Sequence, residues 1–413
     1  MTSTVAPTDQ HSMVGVLSQP SEPTSKEKLK RFAKKYFLEG QKFTNEEKRE
    51  PVIPPDADSL QRFTLKHRKL LAFVIPPAFM WTWWWMYAIG NNIFPLYATR
   101  FSMPITMFFG AFIGGMTCEG GGAVAFPVMT LFLHINPTVA RDFALMIQSC
   151  GMTSAAFTIL YMGVALEWHS IVFCTIGATI GIIFGIEVVD PAMSKEQKKM
   201  FFVSIWSAFA CALFLLNTQR KRRTYLTIQM FCWWKGLILL LTGFFGGILT
   251  SFAGTGVCIC SFSVLTLVFS INEKIATQTS ILLIASNAMT GFFWRAKIIH
   301  GISELAWEYW KCTVPVVVVM GPLGAFVGSH VHRQTLAWAV YILEAIALVS
   351  GFVIVKPSLI LSLVCVGIIV GGFFFFFILS RVGRYLLSTY PDAKKPTTAL
   401  PTNNSNCCND VAS

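Results

Sequence analysis

The chain has 413 residues, of which 54% are hydrophobic and only 13% charged, and its mean hydropathy is +0.57. A soluble domain carries about a quarter charged residues, so this balance excludes an ordinary soluble protein and indicates a polytopic membrane protein. The net charge of +12 does not signal nucleic acid, because the positive residues fall in the N-terminal tail and in short loops, where orientation in a bilayer accounts for them.

Residues 1–68 are polar and rich in Lys, Pro, Ser and Thr. They read as a disordered basic cytosolic tail, and without an apolar core near the start no cleaved secretory signal is expected. Lys66, Arg68 and Lys69 abut a first helix at about 69–89 that carries Trp81, Trp83, Trp84, Trp85 and Tyr87. Trp and Tyr collect at membrane interfaces, so this cluster marks the non-cytosolic end, and a short outside loop follows.

Two stretches then repeat. Phe108 to Asn136 aligns without a gap on Phe244 to Asn272, 136 residues later, with identities that include Gly110/Gly246, Gly120/Gly256, Phe126/Phe262, Thr130/Thr266 and Asn136/Asn272. Each copy is an apolar segment broken by glycines, and paired breaks of this kind point to a transporter's binding site. In the first copy, residues 104–117 and 123–134 flank Cys118-Glu119-Gly120-Gly121-Gly122, and each arm is too short to span alone. The segment is either one long discontinuous crossing or a re-entrant hairpin. With the N-terminus inside and both copies as hairpins, Arg220-Lys221-Arg222-Arg223, Arg381 and Arg384 all fall on the cytosolic side. Counting the first copy as a crossing sends the basic loop outside, so the positive-inside bias selects the hairpin.

The expected fold is an all-α polytopic membrane protein of two inverted repeats, each a Gly-broken hairpin plus three transmembrane helices. The crossings are expected at about 138–163, 168–188 and 200–217 in repeat one, and at about 274–296, 308–331 and 336–355 in repeat two. An odd number of crossings per repeat inverts the second relative to the first. The expected partition is a tail at 1–68, an extra first helix and loop at 69–102, repeat one at 103–217 and a basic cytosolic loop at 218–228. Repeat two follows at 229–356, then a last helix at 357–380 and a disordered cytosolic tail at 381–413.

These residues resemble the TauE/SafE family of sulfite exporters and sulfonate permeases over about 100–380. The features that carry the resemblance are Gly114-Gly115 through Glu119-Gly120-Gly121-Gly122 and Pro127, then Asn136-Pro137, and the second copy at Gly246-Gly247 and Gly254-Thr255-Gly256. The second copy departs from the first, with Ser263 in place of Pro127 and Val257-Cys258 in place of Gly121-Gly122. The resemblance implies movement of small sulfur-containing or organic anions, such as sulfite, sulfonates or sulfoacetate, across a membrane.

The residues themselves lead to a similar site. A half-helix ending at membrane depth presents free N–H groups and a positive dipole end, an anion site without a buried lysine. Gly120, Gly121, Gly122, Gly254 and Gly256 are the expected backbone donors, and Thr117, Ser251 and Thr255 the hydroxyl donors. The alternative is that the glycines serve tight helix packing. Gln148, Ser149, Ser286 and Asn287, on the polar helices after the hairpins, are expected to line the cavity; interhelical hydrogen bonding is the plainer role. Ionisable residues at membrane depth are functional candidates. Glu119 at the first tip is therefore the expected proton carrier, since a fixed negative charge would repel an anion; Glu344 in mid-span is the second candidate, with pairing to another helix as its equal alternative. Arg141 and Asp142 read as a local interfacial pair; Arg295 and Lys297 read as cations snorkelling to the interface, the alternative being that they attract the anion at the outer mouth. No cofactor, metal site or enzymatic constellation is expected: the membrane histidines are scattered and no Walker motif occurs. The partners expected are a small anion, protons and the bilayer. The remaining alternative is a passive anion channel of the same fold; the oligomeric state is not encoded.

Overall fold

The computed structural model describes residues 58–218, 224–331 and 333–389. Within them the regular structure is helical, and an isolated bridge joins Tyr225 to Ile271. The expected disorder of residues 1–57 and 390–413, and the basic loop Arg220–Arg223, lie outside the described residues. The end of the segment assigned to the N-terminal tail is helical: α1 (Ser59–Lys66) starts where the Asp58 carboxylate accepts the Ser59 N–H. Then come α2 (Arg68–Gly90) and the short α3 (Leu96–Arg100). The first broken segment is α4 (Ser102–Met116) and α5 (Gly122–Pro127), extended by a π-helical turn at Val128–Phe132. Three helices follow, α6 (Pro137–Met162), α7 (Trp168–Phe184) and α8 (Lys195–Thr218). The second broken segment is α9 (Trp233–Ala253) and α10 (Val257–Ser263), with a π turn at Val264–Val268. Then come α11 (Glu273–Phe293), α12 (Glu304–His330), α13 (Arg333–Val355) and α14 (Leu359–Thr389).

Among the described residues six helical segments are long and apolar enough to cross a membrane: Pro137–Met162, Trp168–Ala192, Trp233–Ala253, Glu304–Gly328, Gln334–Val355 and Leu359–Leu386. With 23, 24 and 21 residues, α2, α8 and α11 also have the length of a span. The second hairpin is lopsided: its first arm, α9, has 21 residues where α4 has 15. The last helix runs past residue 380 to Thr389, with the Arg381 guanidinium 5.2 Å from the centre of the Phe377 ring.

The sequence repeat is reproduced in backbone detail. The two π turns, Val128–Phe132 and Val264–Val268, lie 136 residues apart. Thr130 Oγ1 donates to Phe126 O at 2.7 Å, and Thr266 Oγ1 to Phe262 O at 2.6 Å. Asn136 caps α6 by accepting the Thr138 N–H at 3.1 Å; Asn272 caps α11 by accepting the Lys274 N–H at 3.0 Å. Asn at an N-cap satisfies a donor that a helix start leaves open, so the same residue makes the same turn twice.

Each hairpin's long arm packs on a helix from the other half. α9 lies along α7 in the same direction: Gly236 faces Phe173, Gly247 faces Ala178 and Gly185 faces Ser251. α4 lies along α12 in the same direction, with Gly115 on Gly321 and Gly328 on Met116. Small residues let these backbones touch, which is how helices associate where the solvent is as apolar as the side chains. A Cβ on Gly181 would overlap the Phe244 carbonyl. Gly181→Ala is therefore expected to destabilise by about 1–3 kcal/mol, read as a lower melting temperature in detergent. Gly367→Ala, with nothing within 4 Å of the added carbon, is expected to leave it unchanged.

Candidate functional site

The two broken segments meet tip to tip. At the first, Thr117 is extended (φ −113°, ψ 173°), which stops α4, and Gly120 turns the chain with φ +75°. At the second, Gly254 ends α9 with φ +77°. Both turns lie in the left-handed region, which glycine enters without strain. Thr255 Oγ1 donates to Glu119 O at 3.1 Å, and Cys258 Sγ lies 3.5 Å from the same oxygen. Gln148 on α6 joins them from the side, its Nε2 donating to Gly254 O at 2.7 Å and to Ala144 O at 3.0 Å. Its amide lies against Gly120 and Gly122. A Cβ on Gly120 would come within 2.6 Å of Gln148 Oε1, and one on Gly122 within 2.6 Å of Nε2. The glycines thus admit a polar side chain between the tips.

The structure also brings Glu119 and Glu344 together. Both are buried, at 1% and 2% exposure, and their side chains interact with each other. Neither carboxyl receives a hydrogen bond from a protein donor, and Gln148 Oε1 and Asn287 Oδ1 are likewise buried without a donor. Two carboxyl groups this close and out of water repel each other when both are charged. Unpaired buried acceptors cost about 1–3 kcal/mol each. A site with this surplus of acceptors is suited to a guest that brings protons.

A cleft opens beside the first tip. Met116, Thr117 and Cys118 form one wall, Thr277 and Gln278 of α11 another, and Val340, one turn before Glu344, a third. The cleft leads from one end of the helical bundle to the residue beside Glu119.

Of the residues singled out in the sequence, Gly120, Gly122, Gln148, Gly254 and Thr255 converge at the tip contact, and Glu119 joins Glu344 beside it. Thr117 lines the cleft; its hydroxyl donates to Ile113 O. Gly121 packs on Met107, and Gly256 on Leu249 within its own hairpin. The other hydroxyls are turned to their own helices: Ser149 to Met146 O and Ser251 to Ile248 O. Asn287 Nδ2 donates to Thr250 Oγ1 at 3.0 Å. Ser286 bonds Leu283 O and lies 3.5 Å from Thr175 of α7. Cys258, which stands where the first copy has Gly122, is also at the tip.

The basic residues depart from expectation. Arg141 and Asp142 do pair, Nε donating to Oδ1 at 2.8 Å, but they are buried inside the protein, at 0% and 1% exposure. Arg295 is buried as well, donating to Asp142 through Nε at 3.0 Å and Nη2 at 2.7 Å. Local sequence suggested snorkelling because the acidic partner sits on a different helix. Among the described residues no cluster of His, Cys, Asp and Glu is arranged to hold a metal ion.

This is a multi-pass integral membrane protein built around two facing helix breaks. The model of the sulfite exporter TauE/SafE family matches residues 103–352, and the chain belongs to that family of membrane transporters. Comparison with curated proteins and with solved structures returns no match.

Proposed function

We propose that the protein is a secondary transporter that moves small sulfur-containing or organic anions, of the sulfite and sulfonate class, together with protons. The observation that carries this reading is the contact between the two hairpin tips, with the Glu119–Glu344 carboxyl pair beside it. Tip glycines give a small anion access to backbone donors. Arg141 reaches Ser251 O near the second tip, but Asp142 and Asp190 neutralise it. The anion then meets acceptors that are unfavourable to it unless protonated, and this links its passage to a proton.

The packing directions support inverted repeats. α4 runs with α12, and α12 runs with α6, since Gly151 faces Val317 and Trp310 Nε1 donates to Met146 O. α9 runs with α7, which the short 163–167 turn sets antiparallel to α6. The two hairpins therefore enter from opposite sides, as alternating access between inverted halves requires. With both termini cytosolic, the cleft beside α11's start is the cytosolic mouth, because it adjoins the segment after the basic loop.

The test is flux in proteoliposomes, with sulfite and sulfoacetate compared against sulfate and chloride. The expected result is saturable flux of sulfite or sulfoacetate above that of protein-free vesicles, well beyond that of chloride. Flux that never saturates would assign the fold to a channel. Equal flux of all four anions would remove the substrate class.

A further inference from the structure

A buried ion network lies at the end of the bundle opposite the cleft. Arg141 Nε contacts Asp142 Oδ1 at 2.8 Å, and Arg141 Nη1 contacts Asp190 Oδ2 at 3.1 Å and Ser251 O at 2.7 Å. Lys198 Nζ is 2.7 Å from Asp190 Oδ1. Arg295 grips both oxygens of Asp142 and donates from Nη2 to Gly301 O at 2.6 Å. One cluster thus ties the start of α6, the end of α9, the turn at Asp190, the start of α8 and the segment after α11.

Two helices fix its position relative to the cleft. On α11, Thr277 and Gln278 line the cleft, while Arg295 follows the helix's far end. The 17 residues from 278 to 295 correspond to about 25 Å of helix. On α8, Lys198 stands near the start, while Leu213, Leu216 and Asn217 line the cleft. The repeat adds an independent observation. At the 136-residue offset, Arg141 corresponds to Thr277 and Asp142 to Gln278. The positions that line an open cleft in one repeat are sealed by ion pairs in the other.

We infer that the Asp142–Arg295 pair, with Arg141, is the closed gate of this state, and that parting it opens that end while the cleft shuts. The inference rests on the alternating-access reading above. A buried pair that bridges separate elements holds a state shut, because removing one partner leaves an uncompensated buried charge. Two equivalent positions in inverted halves cannot both be open without joining the two sides. Arg141 Nη2 is buried without an acceptor, so the network is not satisfied within itself. Once parted, it presents two guanidiniums to a small anion entering from that end.

The experiment reads the cleft and needs no substrate, so its failure is distinguishable from a failure of the flux assay. Thr277→Cys in nanodiscs, where both ends are accessible, is reacted with a membrane-impermeant maleimide. The rate is followed by mass spectrometry on the peptide carrying residue 277. Arg295→Gln is expected to slow labelling at least tenfold, as the protein shifts to the state with the cleft shut. Arg295→Lys, which keeps the charge, is expected to stay within twofold of the parent. An unchanged rate in Arg295→Gln overturns the gate, and so does an equal fall in both variants, since charge pairing would then not be the cause. Should Arg295→Gln not fold, Asp142→Asn carries the same expectation and the same contradicting result.

Discussion

Sulfite accumulation driven by a pH gradient is expected to vanish in Glu119→Gln. One proton carried per anion converts each pH unit into about 1.4 kcal/mol of drive, a tenfold concentration ratio. The wild type should approach that ratio, and the variant should remain near a ratio of one. Gln keeps the volume of Glu but cannot carry the proton, so the loss tests proton carriage rather than packing. Glu344→Gln should give the same loss, and the double variant little more, because residues that act as a unit are not additive. The measurement is intravesicular sulfite at steady state across a one-unit gradient. Accumulation retained in both single variants would remove the carboxyl pair from coupling.

The second large effect is expected at Gly120. An alanine there places its Cβ 2.6 Å from Gln148 Oε1 on a backbone with φ +75°. The left-handed conformation alone costs a residue with a Cβ about 1–2 kcal/mol. The displaced Gln148 would also lose its bond to Gly254 O, and with it the side link between the tips. A misplacement of about 1 Å at a reacting or binding site can cost on the order of a hundredfold in rate, so initial sulfite flux in Gly120→Ala should fall by about that factor. Gly90→Ala, with nothing within 4 Å of the added carbon, serves as the control. Flux in Gly120→Ala within twofold of wild type would show that the tips do not carry substrate.

The local features of this fold were legible in the sequence because local chemistry sets them. The Gly breaks and the 136-residue offset were read directly from the residues, and the structure repeats that offset in its π turns and in the caps at Asn136 and Asn272. Gln148 was legible as a polar residue on a helix beside a hairpin. What sequence did not reveal is which distant residues share a place. Glu119 and Glu344 were each singled out, but their contact arises from packing between a hairpin tip and α13. Arg141 and Asp142 looked like an interfacial pair because they are neighbours in the chain; the third partner, Arg295, stands 153 residues from Asp142. Ser286 looked equivalent to Asn287, yet a step of one residue along a helix turns the side chain about 100°, which directs Ser286 to α7 and Asn287 to Thr250.

The central claim is that facing hairpin tips carry a small sulfur anion coupled to a proton. The most direct test is whether reconstituted protein concentrates sulfite against its own gradient when only a pH gradient is imposed. The account predicts accumulation that a protonophore abolishes and that is absent from protein-free vesicles. Sulfite that moves only down its own gradient, at the same rate with or without the pH gradient, would contradict it.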